Sequence, residues 1–245
     1  HGKIDVCSEY EISQTVSKLT EDSVHTYGET IRQGYISLDG GYRIGVCGSA
    51  SVKDGSVGGV YAISSLCIRI PRVIIGAGRE LLSVISSENG ISSALVYSPP
   101  GVGKTTVLRD VALALSSGES AKRVCIVDTR NELYDKAAFS LSIADDLRGY
   151  PKAAGIESAT RTMCPELIIC DEIGGESEAR AILAAQNCGV PLLASAHGTS
   201  RDDIMLRPNI KLLCDAGVFR YLIGISRAGR KFALDVFDMK SAVKV

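Results

Sequence analysis

Apolar and polar positions follow different patterns in the two parts of this chain. Near the start, Ile12, Val16 and Leu19 recur at helical spacing. They follow Ser8 and Glu11, a pair typical of the capping box at a helix N-terminus. After a second short helical segment come three strand-like segments, YISL, YRIGVCGSA and YAISSLCIRI. The turn LDGG joins the first two, and a glycine-rich loop, KDGSVGG, is predicted between the last two. We therefore predict two short helices and an antiparallel meander.

From Ile91 onward, short apolar segments alternate with helical ones. The predicted strands span residues 94 to 97, 123 to 128, 166 to 171, 191 to 196, 219 to 225 and 231 to 237. This alternation is typical of a parallel sheet covered by helices, and the last two strands are predicted to form a closing pair. The predicted fold class is α/β, with a mostly parallel sheet preceded by a smaller α+β domain that contains the antiparallel meander.

The two patterns are separated by a short interrupted stretch that contains Pro71, Gly76 and Gly78. We place the domain boundary there, with an N-terminal domain over residues 1–78 and a second domain over residues 79–245. A length of 245 residues allows two modest domains, each with its own core.

Composition and charge narrow the class of protein. Hydrophobic residues make up 45% and charged residues 22%, as in globular proteins and unlike disordered or fibrous ones. The formal net charge is −1, so nucleic acid is not the expected partner, because proteins that bind it usually carry a basic face. No apolar run approaches the ~18 residues of a membrane span, so we expect no direct span. The chain begins at His1, so we expect a further segment upstream.

The cysteines indicate a reducing environment. There are eight, with no CxxC pair, and most lie in apolar runs such as VCIVD and LIICD. This is typical of reduced cysteines that act as small core residues. We predict neither disulfides nor a metal site from them, since a zinc site needs clustered ligands.

The segment SPPGVGKTT, residues 98–106, has the features of a phosphate-binding loop. The predicted strand ALVY precedes it and the predicted helix TVLRDVALAL follows, so the positive end of the helix faces the loop. Gly101 and Gly103 allow the backbone to curl around phosphates, Lys104 is predicted to reach the outer phosphates, and Thr105 to ligate magnesium. Ser98 replaces the usual first glycine, a position that opens the loop and tolerates a small residue. The residues assigned to nucleotide binding are Pro100, Gly101, Val102, Gly103, Lys104, Thr105 and Thr106.

The segment ELIICDEIGG is an apolar strand that ends in two acids. Asp171 is predicted to contact magnesium through water, and Glu172 to orient or deprotonate the attacking water. The alternative is a strand that simply ends in solvated acids. A further predicted strand, VCIVD, lies between the two motifs. A strand inserted between the phosphate-loop strand and the acidic strand marks the hydrolytic branch of proteins with such a loop.

With these motifs assembled, the chain resembles the stage III sporulation protein AA family, relatives of the type II and type IV secretion ATPases. The resemblance covers roughly residues 28 to 238. It rests on GYISLDGGYRIGVCGS, SLCIRIPR, SPPGVGKTTVLRD, IVDTRNEL, GYPKAAGIESATRTMCPELIICDEIGG, LLASAHGTS and LRPNIKLLCDAGVFRYLIGISRAGR.

The resemblance implies a RecA-like P-loop ATPase domain that binds ATP and Mg²⁺. It also implies a homo-oligomer, a hexamer as in the related ATPases, whose N-terminal domain covers the nucleotide. The expected partners are membrane-embedded proteins of the sporulation channel. The expected location is the cytoplasm of the mother cell, peripheral to the membrane through those partners.

The resemblance also assigns residues outside the two motifs. IVDTRNEL matches the acidic box of these ATPases, with Asp128 and Glu132 as its acids. Thr129 stands where a glutamate is common, so Glu172 is our first choice as the base and Glu132 the second. For Asp128 the structural alternative is a cap on the following turn.

LLASAHGTS matches the histidine box, in which His197 is expected to sense the terminal phosphate. Arg43 and Arg69 lie on predicted strands, and arginines on these strands reach the phosphates in the resembling ATPases. The alternative for both is a solvated sheet face. Arg161 matches an arginine of the secretion ATPase pattern that is expected to act at the subunit interface.

Three functions remain open from the sequence. The first is an oligomeric, magnesium-dependent ATPase that drives motion in a membrane channel, and the second is a nucleotide-gated scaffold with negligible turnover. A RecA-like helicase is the third, and it needs basic or aromatic loops for nucleic acid. The nearest candidate loop, LRGYPKAAG, carries only Arg148, Tyr150 and Lys152.

Overall fold

The structure, a computed structural model, describes residues 7–21, 27–38, 42–70, 73–88, 90–229, 231–241 and 243–244. The chain divides into two compact units, residues 1–71 and residues 72–245. The boundary predicted at residue 78 stays a prediction. Pro71, one of its three markers, and residues 39–41 of the predicted LDGG turn lie outside the described residues.

The first unit is a three-stranded antiparallel sheet with two helices. Its elements are α1 (Glu9–Leu19), α2 (Gly28–Arg32), β1 (Tyr35–Leu38), β2 (Tyr42–Lys53) and β3 (Ser56–Arg69), with strand order β1-β2-β3. The capping box is confirmed, since the Glu11 backbone N–H donates to Ser8 Oγ at 3.3 Å and the Ser8 N–H donates to Glu11 Oε2 at 2.7 Å. One face of the sheet forms a core with the helices through Val16, Ile31 and Ile44.

The prediction of a glycine-rich loop between the last two strands is wrong. β2 and β3 continue as a paired ladder until only Asp54 and Gly55 are left as the turn. Both turn residues have positive φ, 51° and 77°, which suits the right-handed twist of a tight hairpin. The glycines therefore lie in an exposed part of the β2–β3 ladder. Main-chain hydrogen bonds form this ladder, and they cannot be inferred from the glycine content of the segment.

The second unit alternates helices and strands, as predicted. Its helices are α3 (Arg79–Ile85), α4 (Lys104–Ser116), α5 (Lys152–Ser158), α6 (Glu176–Gln186), α7 (Arg201–Met205) and α8 (Pro208–Asp215), and a π-helical turn, Ala159–Met163, continues α5. Its strands are β4 (Ser86–Ser87), β5 (Gly90–Ile91), β6 (Ala94–Ser98), β7 (Val124–Asp128), β8 (Asp145–Arg148), β9 (Leu167–Cys170), β10 (Leu192–His197), β11 (Tyr221–Ala228), β12 (Lys231–Asp238) and β13 (Val243–Lys244). All six predicted strands are present. β8 was not predicted because its sequence, DDLR, buries only Leu147.

The large sheet has the order β13-β12-β11-β6-β10-β9-β7-β8. The run from β11 to β8 is parallel, and β12 and β13 close it in antiparallel fashion. Val107, Leu108 and Val111 of α4 pack on one face, whereas α5, α6 and α8 cover the other. The predicted fold class is confirmed.

The prediction that VCIVD is the strand inserted between the phosphate-loop strand and the acidic strand is wrong. This strand is β7, and it lies outside β9, whereas β10 is the strand inserted between β6 and β9. Parallel strands joined by long crossovers need not follow chain order in the sheet, and both candidates are largely buried and apolar. The inserted strand is therefore the one that ends in His197.

The prediction that the cysteines are mostly core residues is wrong, although all of them are free thiols. Only Cys125, Cys170 and Cys214 are buried, and burial raises the pKa of Cys125 to about 12 and that of Cys214 to about 11. Cys47 and Cys67 are exposed because successive strand residues point to opposite faces, and theirs is the face away from the helices.

The segment before α3 is fixed to the phosphate-loop helix by a buried carboxylate. Asp110 of α4, 5% exposed, accepts the backbone N–H of Gly76 at 2.9 Å and that of Gly78 at 2.7 Å. The approach is close, because a Cβ on Gly78 would lie 2.5 Å from Cγ2 of Val111. Within the described residues, no helix is long and apolar enough to span a bilayer.

We expect Asp110→Ala to lower the free energy of unfolding by about 2 to 4 kcal/mol, because it leaves two backbone N–H groups without their charged acceptor. Urea denaturation followed by circular dichroism measures this change. Asp215→Ala is the matched control, since that carboxylate is 57% exposed and pairs across α8 with Lys211. Equal losses in the two variants would contradict the anchoring role of Asp110.

Candidate active site

Three neighbouring parallel strands end together at one edge of the large sheet. β10 lies between β6 and β9, and its register pairs His197 with Ser98 and Ala194 with Cys170. Ser98 opens the phosphate loop, and Asp171 and Glu172 follow β9 directly. Ligands of open α/β sheets bind at such carboxyl ends. The fold thus brings both sequence motifs and the histidine to one edge.

The phosphate loop has the conformation that its glycines permit. Gly101 and Gly103 have φ of 77° and 122°, in the region that side chains rarely occupy. A Cβ on Gly103 would also lie 2.8 Å from the ring of Phe232 on β12. Pro100 and Gly101 are exposed, and Thr105 and Thr106 in the first turn of α4 are half-buried.

Lys104 is the central charge of the site. It is 6% exposed, and its Nζ donates to the Ser98 carbonyl at 2.9 Å and lies 3.1 Å from Nδ1 of His197. Burial lowers the pKa of Lys104, while the carboxylates of Glu172 and Asp171 act in the opposite direction. The Ser98 carbonyl also accepts the N–H of Gly198 at 3.2 Å, so the backbone at this position ties β6 to the end of β10.

Glu172 joins the histidine to an arginine that the sequence analysis did not single out. Its Oε1 lies 2.9 Å from Nε2 of His197, and its Oε2 lies 2.5 Å from NH1 of Arg130. Lys104, His197, Glu172 and Arg130 therefore form one continuous chain of polar contacts. Arg130 lies in the IVDTRNEL segment, but its contact with Glu172 joins residues that are far apart in the sequence, so only the structure shows it.

Asp171 is a carboxylate with unused hydrogen-bonding capacity. It is 1% exposed, and neither of its oxygens has a hydrogen-bond partner in the described part of the chain. Burial is the main cause that raises its pKa to about 6, and the ammonium of Lys152, 3.9 Å away, opposes this rise. A buried carboxylate without donors is what a hydrated cation would satisfy.

The residues present fit a magnesium ion that accompanies a nucleotide. Mg²⁺ takes oxygen ligands and keeps several waters, so one hydroxyl, one carboxylate and phosphate oxygens suffice. Thr105 offers the hydroxyl and Asp171 offers the two unpartnered oxygens.

Asp128 organises the loop that carries Arg130 and Glu132. Its carboxylate, fully buried, accepts the backbone N–H groups of Glu132 at 2.8 Å, Leu133 at 2.8 Å and Tyr134 at 3.0 Å. These are the hydrogen bonds expected of the capping alternative. Arg109 of α4 donates to the carbonyls of Glu132 and Leu133, so the loop is held from both sides.

The remaining predicted residues lie away from this cluster or in the first unit. Arg161 is exposed on the π-helical turn and pairs with Glu157 at 2.8 Å. Arg43 and Arg69 are direct cross-strand partners on β2 and β3, and the guanidinium of Arg43 lies 4.0 Å from the ring centroid of Tyr35. Like charges directly opposite each other repel, which makes this face suited to an anion.

Comparisons with known proteins show the family of this chain. The family described as "Sporulation stage III, protein AA" matches residues 2–242. Stage III sporulation protein AA of Bacillus subtilis (strain 168) is 36% identical over 222 residues, which cover 87% of this chain and 72% of that protein. Protein SEEDLING PLASTID DEVELOPMENT 1 of Arabidopsis thaliana is 34% identical over 175 residues, covering 69% of this chain and 25% of that protein.

Two solved structures share the fold at low identity. The ATPase DotB of Legionella pneumophila superposes with a TM-score of 0.62 at 15% identity, covering 97% of this chain and 71% of that one. The pilus retraction motor PilT with bound ADP gives a TM-score of 0.55 at 16% identity, covering 89% and 69%. The fold is therefore that of the RecA-like secretion ATPases. Among proteins of this fold, the chain belongs to the Sporulation stage III, protein AA family.

The raised pKa of Asp171 gives a signed pH dependence in the absence of magnesium. The folded state keeps a proton up to about pH 6, whereas the unfolded carboxyl releases it near its usual 3.8, so stability falls as the pH rises through this window. Asp171→Asn removes this contribution. We expect the stability of this variant relative to wild type to increase by about 2 kcal/mol between about pH 4 and about pH 7, at ~1.4 kcal/mol per pKa unit.

Denaturant unfolding in EDTA at the two pH values measures the difference. Asp202→Asn serves as the control, because that carboxylate is 85% exposed. A pH-independent difference between Asp171→Asn and wild type would show that Asp171 titrates normally.

Proposed function

We propose that this protein binds ATP with Mg²⁺ at the ends of β6, β9 and β10 and hydrolyses it. The observation that supports this most directly is the polar chain from Lys104 through His197 to Glu172, beside a buried Asp171 to which no described residue donates a hydrogen bond. Lys104 binds phosphate charge, and the helix dipole of α4 adds to it. The metal would supply a positive charge that is shared between phosphate oxygens.

Glu172 is proposed as the base, and the structure favours it over Glu132 on positional grounds. Its carboxylate contacts His197, which in turn contacts Lys104, so we expect it to lie beside the outer phosphate of a bound nucleotide. In the structure both oxygens of Glu172 are engaged, by His197 and by Arg130. A nucleotide that takes over Lys104 and His197 would free one oxygen to accept a hydrogen bond from water.

The wider role follows from the family and remains part of this proposal. The chain is proposed to act as a homo-oligomer, a hexamer in analogy to related ATPases, that energises or assembles membrane-embedded sporulation channel proteins. It would work at the cytoplasmic side of that membrane. Names of the structural neighbours, an ATPase and a pilus retraction motor, are in keeping with such a use of ATP.

We expect Lys104→Ala to weaken ATP binding, because it removes the phosphate-binding charge. Glu172→Gln should retain binding and lower turnover by about 10² to 10⁴, the usual contribution of a general base. Titration with a fluorescent nucleotide and a phosphate-release assay measure the two quantities. Glu176→Gln is the control, since this glutamate lies at the exposed start of α6 and pairs with the exposed Arg180.

Wild-type turnover in Glu172→Gln would show that the base is misassigned, and Glu132→Gln would then be tested. The scaffold alternative predicts a different result: tight ATP binding, an ATP-dependent rise in solution mass by light scattering, and negligible phosphate release even in wild type.

Arg43 and Arg69 are proposed to contact the phosphates of the bound nucleotide. A stabilising arginine at a transferring phosphoryl group can contribute ~10³ to 10⁵ in rate. We expect Arg43→Ala and Arg69→Ala to leave the nucleotide-free melting temperature nearly unchanged, because these side chains bury little apolar area, and to reduce both ATP-induced stabilisation and turnover. Equal thermal shifts and equal rates in wild type and both variants would leave these arginines as charges on a solvated face.

A further inference from the structure

The proposed base has an unusual backbone conformation. Glu172 has φ of 40°, in the left-handed region that residues with a Cβ occupy only rarely. Such conformations persist where surrounding groups hold them, and they cluster at functional sites. The direction of the Glu172 side chain depends on this backbone conformation.

Two side chains from different elements hold this residue by its peptide groups. The Glu172 N–H donates to Oγ of Ser195 on β10 at 3.0 Å, and the Glu172 carbonyl accepts from Nζ of Lys152, the first residue of α5, at 2.7 Å. Ser195 is 1% exposed and the Lys152 side chain is 9% exposed. Both donor and acceptor of the strained residue are thus engaged away from water.

The charge of Lys152 is balanced within the same cluster. Its Nζ lies 3.9 Å from Oδ1 of Asp171 and 3.8 Å from Oε1 of Glu178. A buried ammonium is costly unless it is paired and hydrogen-bonded, so these carboxylates explain how a lysine is tolerated there. The same carboxylates keep the ammonium beside the Glu172 carbonyl. This position also removes Lys152 from the exposed surface, where the sequence analysis considered it as part of a nucleic-acid loop.

We infer that Lys152 and Ser195 are positioning residues that hold Glu172 in the left-handed conformation, and so place its carboxylate against His197 for reaction with water. The inference rests on the proposed function, since placing a base matters only if Glu172 acts as one. A rotation about the Glu172 backbone would move the carboxylate away from its 2.9 Å contact with His197. Neither residue is among those assigned to nucleotide binding, so ATP affinity should be spared.

The test uses Ser195→Ala and Lys152→Met in the full chain, with Ser195→Thr as the conservative variant and Lys211→Met as the control. Lys211 is an exposed lysine on α8 that pairs with Asp215. We expect Ser195→Ala and Lys152→Met to lower kcat by about 10- to 100-fold, because misplacing a catalytic group by about 1 Å has effects of this size. The dissociation constant for ATP should change little, and Ser195→Thr, which keeps the hydroxyl, should restore kcat.

A second measurement does not depend on turnover. Crystal structures of the two variants should show residue 172 leaving the left-handed region and losing the contact with His197. The inference is overturned if residue 172 keeps its φ and that contact in Ser195→Ala, or if Ser195→Ala retains the wild-type kcat. Ser195→Ala decides the matter alone if Lys152→Met does not fold. A wild type without turnover would instead refute the proposed function, and the crystal structures would still test the positioning.

Discussion

The site is organised around the buried ammonium of Lys104. An ammonium taken out of water must find acceptors, and here these are the Ser98 carbonyl and His197 Nδ1. Both acceptors lie at the ends of neighbouring parallel strands, so the charge ties β6 to β10 where the first turn of α4 begins. The other ring nitrogen of His197 contacts Glu172, which follows β9. The requirement to satisfy one lysine therefore explains why three motifs that are distant in the chain converge.

The phosphate-loop helix serves as a structural support in two directions. Consecutive residues of α4, Arg109 and Asp110, are both 5% exposed and carry opposite charges. Arg109 binds carbonyls of the loop after β7, and Asp110 binds N–H groups of the segment before α3. Both interactions satisfy backbone groups that would otherwise be buried without partners. A displacement of α4 would therefore also displace the loop that carries Arg130.

The acidic box illustrates how one motif divides between structure and chemistry. Asp128 uses its whole carboxylate on three backbone N–H groups, which closes the turn after β7. This turn places Arg130 in contact with Glu172. Asp171, one strand away, has a similarly buried carboxylate that accepts no hydrogen bond from the residues that the structure describes. Two aspartates at adjacent strand ends are thus distinguished by the donors around them, which is why one fits a loop cap and the other fits a cation site.

The sequence by itself determined the local features: the alternation that predicts the parallel sheet, the capping box at Ser8, the phosphate loop, and the acidic pair after an apolar strand. These depend on periodicity and on residue types within a few positions, which a sequence displays directly. Only the tertiary structure decided that β10 and not β7 separates β6 from β9, and that Arg130, Lys152 and Ser195 surround Glu172. The physical reason is that buried apolar strands are interchangeable in pattern, so their order depends on how crossovers and helices pack. Contacts between side chains far apart in the chain follow from that order.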